Sequence, residues 1–198
     1  MSGIKSPITD VLAKLTTMQV INMDNQSTSL FARVWNDQFN KFDSGDHEAF
    51  PLPAAFVEVI NPSEYNRIGC GFDVSDIVFR IHIGHWLADS ADGTFGQDLG
   101  IFDLRDNIVS LLSNFEPTGC GALVHVTDQQ NYNHKSVYVY EIDFKCHFID
   151  SKGSPYDPVS GKYIDSTPPT DLEIDVEKVN NIPGFSILGI GEYRIPKI

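Results

Sequence analysis

Apolar residues recur along the chain with two periods, and the switch between them divides it into elements. Ile8, Val11, Leu12 and Leu15 fall at helical spacing, which predicts a short amphipathic helix that fades near Met18. Ser6 suits its N-cap, and Pro7 its first position, where a missing N–H costs nothing. Residues 28–40 (TSLFARVWNDQFN) set Phe31, Arg33 and Trp35 against Leu30, Ala32 and Val34, the alternation of a strand rich in aromatic and branched side chains. The polar stretch KFDSGDHEA then reads as a loop. Pro51 and Pro53 mark the entry to a second strand at 54–60 (AAFVEVI), because proline cannot donate to a sheet ladder.

The clearest strand spans 74–86. Ile77, Phe79, Ile81 and Ile83 occupy one face, and Asp76, Val78, Arg80 and His82 the other, so one side of the sheet is buried and the other is wet or meets a partner. A loop of small and acidic residues leads to a helix over 101–115, with Leu104, Ile108, Leu111, Leu112 and Phe115 on one side. Asp103 and Asp106 suit the positive end of its dipole, and Pro117 and Gly119 terminate it. A hairpin follows, with strands at 121–127 and 136–150 joined by the polar connection DQQNYNHK. The second strand carries Tyr138, Tyr140, Ile142, Phe144, Cys146 and Phe148 on one face. Its other face begins apolar (Val137, Val139) and becomes charged (Glu141, Asp143, Lys145, His147).

Texture changes at Asp150. The proline-bearing stretch SKGSPYDPVSGKYIDSTPPT precedes a second alternating run at 171–179, Leu172, Ile174 and Val176 against Asp171, Glu173, Asp175 and Glu177, and the segment IPGFSILGIGEYRIPKI can supply it with a partner strand. The chain thus divides into a core over 1–150 and a C-terminal extension over 151–198, an arm that forms a hairpin or docks on a neighbour. The predicted fold class is α+β: an antiparallel or mixed sheet of about five strands, two helices packed on one face, and a β-rich arm.

Composition narrows the function. The 198 residues hold 14 basic against 27 acidic side chains, a formal charge of −13, which argues against gripping DNA or RNA through phosphates. Of these, 19 acidic and 9 basic side chains fall within 1–149, so most of the acidity belongs to the core. An apolar fraction of 41% is too high for a disordered acidic chain. No run approaches the ~20 apolar residues of a membrane span, and MSGIKSPITD lacks the basic start and apolar stretch of a secretory signal.

Catalytic and metal chemistry find no constellation. Cys70, Cys120 and Cys146 show no CxxC spacing and read as reduced structural thiols of an intracellular protein. His82 and His85 form HxxH, but on a strand they point to opposite faces and do not readily share a metal; His47, His125, His134 and His147 are scattered. There is no GxSxG elbow and no GxxxxGK[ST] loop. Nothing selects a pair among the 27 carboxylates. No enzyme activity and no cofactor are expected.

The order of elements carries a resemblance. Pro51 and Pro53 ahead of Ala54–Val59, the helix opening Phe102-Asp103-Leu104-Arg105-Asp106-Asn107-Ile108 and the strand VYVYEIDF at Val137–Phe144 together resemble the tail terminator and tail completion (neck) proteins of long-tailed bacteriophages. The similarity covers about residues 7–150 and is one of order and texture; the arm departs from the minimal pattern. The resemblance implies a non-catalytic virion protein, assembled in the host cytoplasm, that forms a ring of six copies at the head–tail interface. The ring caps the tail tube, halts its polymerisation and faces the head connector or neck protein. A head–tail joining protein, or another non-enzymatic interaction module, is the nearest alternative.

A ring needs a heterologous interface. Val78, Arg80, Val137 and Val139, on the partly apolar second face of the sheet, are the candidate subunit contacts, together with the arm. Asp89, Asp92 and Asp98, or Asp171, Glu173, Asp175 and Glu177, are candidates for an acidic lumen past which DNA slides without specific binding.

Overall fold

A computed structural model of the chain describes residues 3–22, 24–45, 50–60, 65–68, 72–86, 99–134, 137–153, 156–157 and 162–163. The elements are α1 (Lys5–Thr16), β1 (Gln19–Ile21), β2 (Ser27–Ser29), β3 (Phe31–Val34), α2 (Gln38–Ser44), β4 (Ala54–Ile60), β5 (Asn66–Ile68), β6 (Phe72–Trp86), α3 (Gly100–Leu112), β7 (Val124–Asn131), β8 (Val137–Asp150), β9 (Tyr156–Asp157) and β10 (Lys162–Tyr163). The fold is α+β, with a mixed sheet ordered β3-β4-β6-β8-β7 and β5 added beside β6. β3 runs parallel to β4, and every other pairing is antiparallel.

The period-2 pattern of β6 and β8 becomes one central ladder. It runs unbroken from Asp73↔Asp150 to Trp86↔Val137, and sets Ile77, Phe79, Ile81 and Ile83 beside Cys146, Phe144, Ile142 and Tyr140. Ala55 and Val57 of β4 extend this apolar face. The stripe Val11 and Leu15 of α1 and the stripe Ile101, Leu104, Ile108 and Leu112 of α3 pack against it in one continuous core. Each fully buried Leu, Ile, Val or Phe contributes about 1.5–3 kcal/mol on leaving water, so this face supplies most of the driving force.

Several boundaries differ from the sequence reading. α1 begins at Lys5 after Ile4, without a side-chain cap from Ser6. Pro7 is then the third helical residue, where its N–H would still be among the four without an intrahelical acceptor. α3 ends at Leu112, not at residue 115. Ser113 is extended and Asn114 has φ +64°, because the backbone of Leu123 takes over: Asn114 N–H donates to Leu123 O at 2.9 Å and Leu123 N–H to Phe115 O at 2.8 Å.

The larger corrections concern 28–40 and 121–134. The single strand expected over 28–40 is three elements. Ser27–Ser29 pairs with β1, Phe31–Val34 joins the sheet, and Gln38–Ser44 is a helix running into the stretch read as a loop. Asp37, with φ +59°, turns the chain, and Gln38 brackets the corner, donating to Val34 O at 2.8 Å and accepting from Asn36 N–H at 2.6 Å. Residues 121–123 close on the end of α3, and β7 starts at Val124 and runs to Asn131, through half of the connection read as a loop. β5 falls between the strands expected at 54–60 and 74–86 and pairs with the start of β6.

α2 lies on the face of the sheet opposite α1 and α3. There Phe39, Phe56, Val137, Val139 and Ala54 form a second core with Phe31, Trp35, Phe42, Phe50 and Leu52. Phe39 packs its ring within 5.2–5.7 Å of Trp35, Phe50 and Phe56. A Cβ on Gly84 would come within 2.4 Å of Phe39 Cε1, so the ring rests directly on the bare backbone of β6. Of the predicted arm, β9 and β10 pair as a two-residue hairpin; residues 164–198 lie outside the described residues.

Candidate functional site

On the second face, past the aromatic cluster, four strands bring their polar residues into one row. Register places Glu58 of β4 opposite Arg80, Arg80 opposite Asp143, His82 opposite Glu141, and Glu141 opposite Gln129 of β7. Arg80 donates Nε to Asp143 Oδ1 at 2.8 Å and Nη2 to Oδ2 at 2.9 Å, a bidentate pair, while its Nη1 lies 3.8 Å from Glu141 Oε2. Glu141 accepts from Gln129 Nε2 at 3.0 Å and Asn131 Nδ2 at 2.9 Å.

His82 sits at the centre, nearly buried. Its Nε2 is 2.9 Å from Glu58 Oε2 and its Nδ1 is 3.7 Å from Glu141 Oε1. The Trp35 indole lies flat over the imidazole, centroids 4.0 Å apart and planes within 10°. Burial pushes the His82 pKa down, against the opposing pull of Glu58 and Glu141. For Glu141, burial is the largest single influence and raises the value; the amides of Gln129 and Asn131, with His82 and Arg80, outweigh it and hold the carboxyl below its usual range. The Asp143 bond raises the Arg80 value. The row is a set of carboxylates already supplied with donors, so it knits four strands together.

A second polar knot sits on the helix side. Arg105 of α3 pairs with Asp128 of β7, which also accepts from the Tyr140 hydroxyl at 3.1 Å. Burial raises the Asp128 value, but Arg105 and Tyr140 outweigh it and the carboxyl is held low. His125 Nε2 is 3.2 Å from Asp128 Oδ2 but outside hydrogen-bonding geometry. At the far end of β8, Cys146 is buried as expected; a thiol–thiol hydrogen bond raises the pKa of Cys120 and lowers that of Cys146.

The candidate interface residues separate. Val137 and Val139 are 1% and 0% exposed, covered by Phe39 and the aromatic cluster around α2. The apolar patch offered to a neighbouring copy is at this end of the sheet filled by the chain itself. Val78 and Arg80 are partly exposed, Arg80 being held by Asp143. Asp89, Asp92, Asp98, Asp171, Glu173, Asp175 and Glu177 all lie outside the described residues.

The second face was legible as polar beyond Val139, but Glu58, Gln129, Asn131 and Trp35 were not. Only register brings them to His82 and Glu141, and register is not visible in one strand alone. Clefts of about 290, 470 and 340 Å³ occur elsewhere, the last between β1, the end of β6 and α3, lined by Ile21, Trp86, Asp103 and Asn107. Among the described residues no group of three or more His, Cys, Asp or Glu is placed to hold a metal ion, and no helix is long and apolar enough to cross a membrane. No protein-family model matches the chain, and a search of curated proteins finds no match.

Proposed function

We propose that this chain is a structural subunit of a phage tail, a terminator that closes into a ring on the tail tube and joins it to the head connector. The observation that carries the reading is the arrangement of α1, α3 and the long β6–β8 ladder: two helices on one face of a mixed sheet, in the order that the resemblance implies. The polar row supports a scaffold role, because its carboxylates and Arg80 are committed to one another across four strands. The net charge of −13 supports a subunit that DNA passes without adhering.

Electron microscopy of the purified protein with tail tube protein tests this. Rings of six seated on tube ends, and tubes of arrested length, are the expected result. A protein that stays monomeric at high concentration and leaves tube growth unaltered overturns it.

A further inference from the structure

β7 is an edge strand of unusual composition. It closes one side of the sheet, pairs only with β8 among the described residues, and runs for eight residues (VHVTDQQN) without Lys, Arg, Pro or Gly. Edges of this length are ordinarily blunted by such residues or kept short, as β3 is at the opposite edge, with four residues and an arginine. The one irregularity is a bulge between His125 and Thr127, which leaves Val124 and Val126 60% and 56% exposed; from Thr127 to Asn131 the strand is regular. Its single carboxylate, Asp128, is already taken by Arg105 and Tyr140.

We propose that this edge accepts the segment 171–179 of a neighbouring copy as an added strand. The choice of a neighbouring copy rests on the ring reading. Edge and segment are different surfaces, so each copy gives one and receives the other, the heterologous arrangement that closes a ring. The segment alternates Leu172, Ile174 and Val176 against Asp171, Glu173, Asp175 and Glu177. On the second face β7 offers Val124, Thr127, Gln129 and Asn131, none of them charged, so an acidic row there meets no like charge directly opposite. The apolar row then turns to the helix side, where β7 presents His125, Asp128 and Gln130, and where Phe102 of α3 is exposed against Tyr138 and Tyr140.

Length permits the exchange. Asp171 lies 18 positions beyond Gly153, but the β9–β10 pairing brings Tyr163 back beside Tyr156, so the 11 remaining steps give a reach of about 40 Å when extended, which matches the diameter of about 40 Å for a core of ~150 residues.

A photo-crosslinking residue in place of Val126, in the full-length protein, tests the proposal. Equal amounts of isotopically light and heavy chains are mixed, irradiated over a range of concentrations, and the linked peptides identified by mass. Mixed light–heavy links to the peptide containing 171–179, rising with concentration and lost in Ile174→Pro, are expected. Links confined within one chain, links to another region, or the absence of mixed links at every concentration overturn it. The two readings fail separately. Six-membered rings whose links avoid 171–179 overturn the strand exchange alone, and mixed links without rings on tail tubes overturn the terminator alone.

Discussion

The placement of α2 on the second face is tested by the contact between Phe39 and Gly84. Phe39 is fully buried, and replacement by alanine removes a ring at the centre of the aromatic cluster, with an expected cost of about 3–5 kcal/mol. Gly84→Ala acts from the other side. The new methyl would lie 2.4 Å from Phe39 Cε1 and 2.7 Å from Cζ, against ordinary carbon contacts of about 3.5–4.0 Å. The ring must move by about 1 Å or more, and overpacking of this kind costs about 1–3 kcal/mol. In the double variant the ring is gone and the methyl occupies part of the void. Only Val137 Cγ1, at 3.1 Å, remains close, and it needs to give by a few tenths of an ångström. The double variant is therefore less destabilised than the sum of the two singles, by about 1–3 kcal/mol. Urea unfolding followed by the fluorescence of Trp35, whose ring centroid is 5.4 Å from that of Phe39, measures all four proteins. Costs that add to within about 0.5 kcal/mol, or a harmless Gly84→Ala, refute the packing of α2 on β6.

Two further outcomes follow from the polar row. The folded-state pKa of His82 is depressed below the ordinary 6.5, so folding favours the neutral ring. The associated stability is complete above the unfolded value and is lost as pH falls through 6.5 toward the folded value. His82→Gln flattens the fall in urea midpoint on acidification through that window, and an unchanged slope refutes the assignment. Arg80→Met leaves Asp143, nearly buried, without its bidentate partner, for a loss of about 1–3 kcal/mol. Adding Asp143→Leu restores most of it, and no recovery in the double variant means that Arg80 acts through other contacts.

The elements with strong patterning were legible: α1, α3, β6 and β8 by their apolar stripes and β4 by the prolines at its entry, and one face of each meets the others in one core. α2 was not, because seven residues (QFNKFDS) carry little helical signal of their own and are held by Phe39 and Phe42 packing on rings from β4 and the 50–53 approach. That absence had a second effect. With no element known to lie above them, Val137 and Val139 looked like an exposed apolar patch, whereas α2 encloses them. β7 was misplaced for the opposite reason. Asp128, Gln129 and Asn131 read as loop residues by their polarity, yet each has a partner supplied by a different element: Arg105 and Tyr140 for Asp128, Glu141 for the two amides.

The central ladder also governs how the chain must fold. β7 and β8 meet across a short connection, but the β6–β8 pairs join residues 51 to 77 positions apart, from Trp86↔Val137 to Asp73↔Asp150. Pairing at such separation pays loop closure before it is rewarded, which slows the search. β6 emerges first during synthesis, and its row of four large apolar side chains, Ile77, Phe79, Ile81 and Ile83, waits for a strand more than fifty residues downstream. Arg80 and His82, set between those side chains on the opposite face, keep the waiting strand polar on one side and so hinder its stacking on another nascent copy.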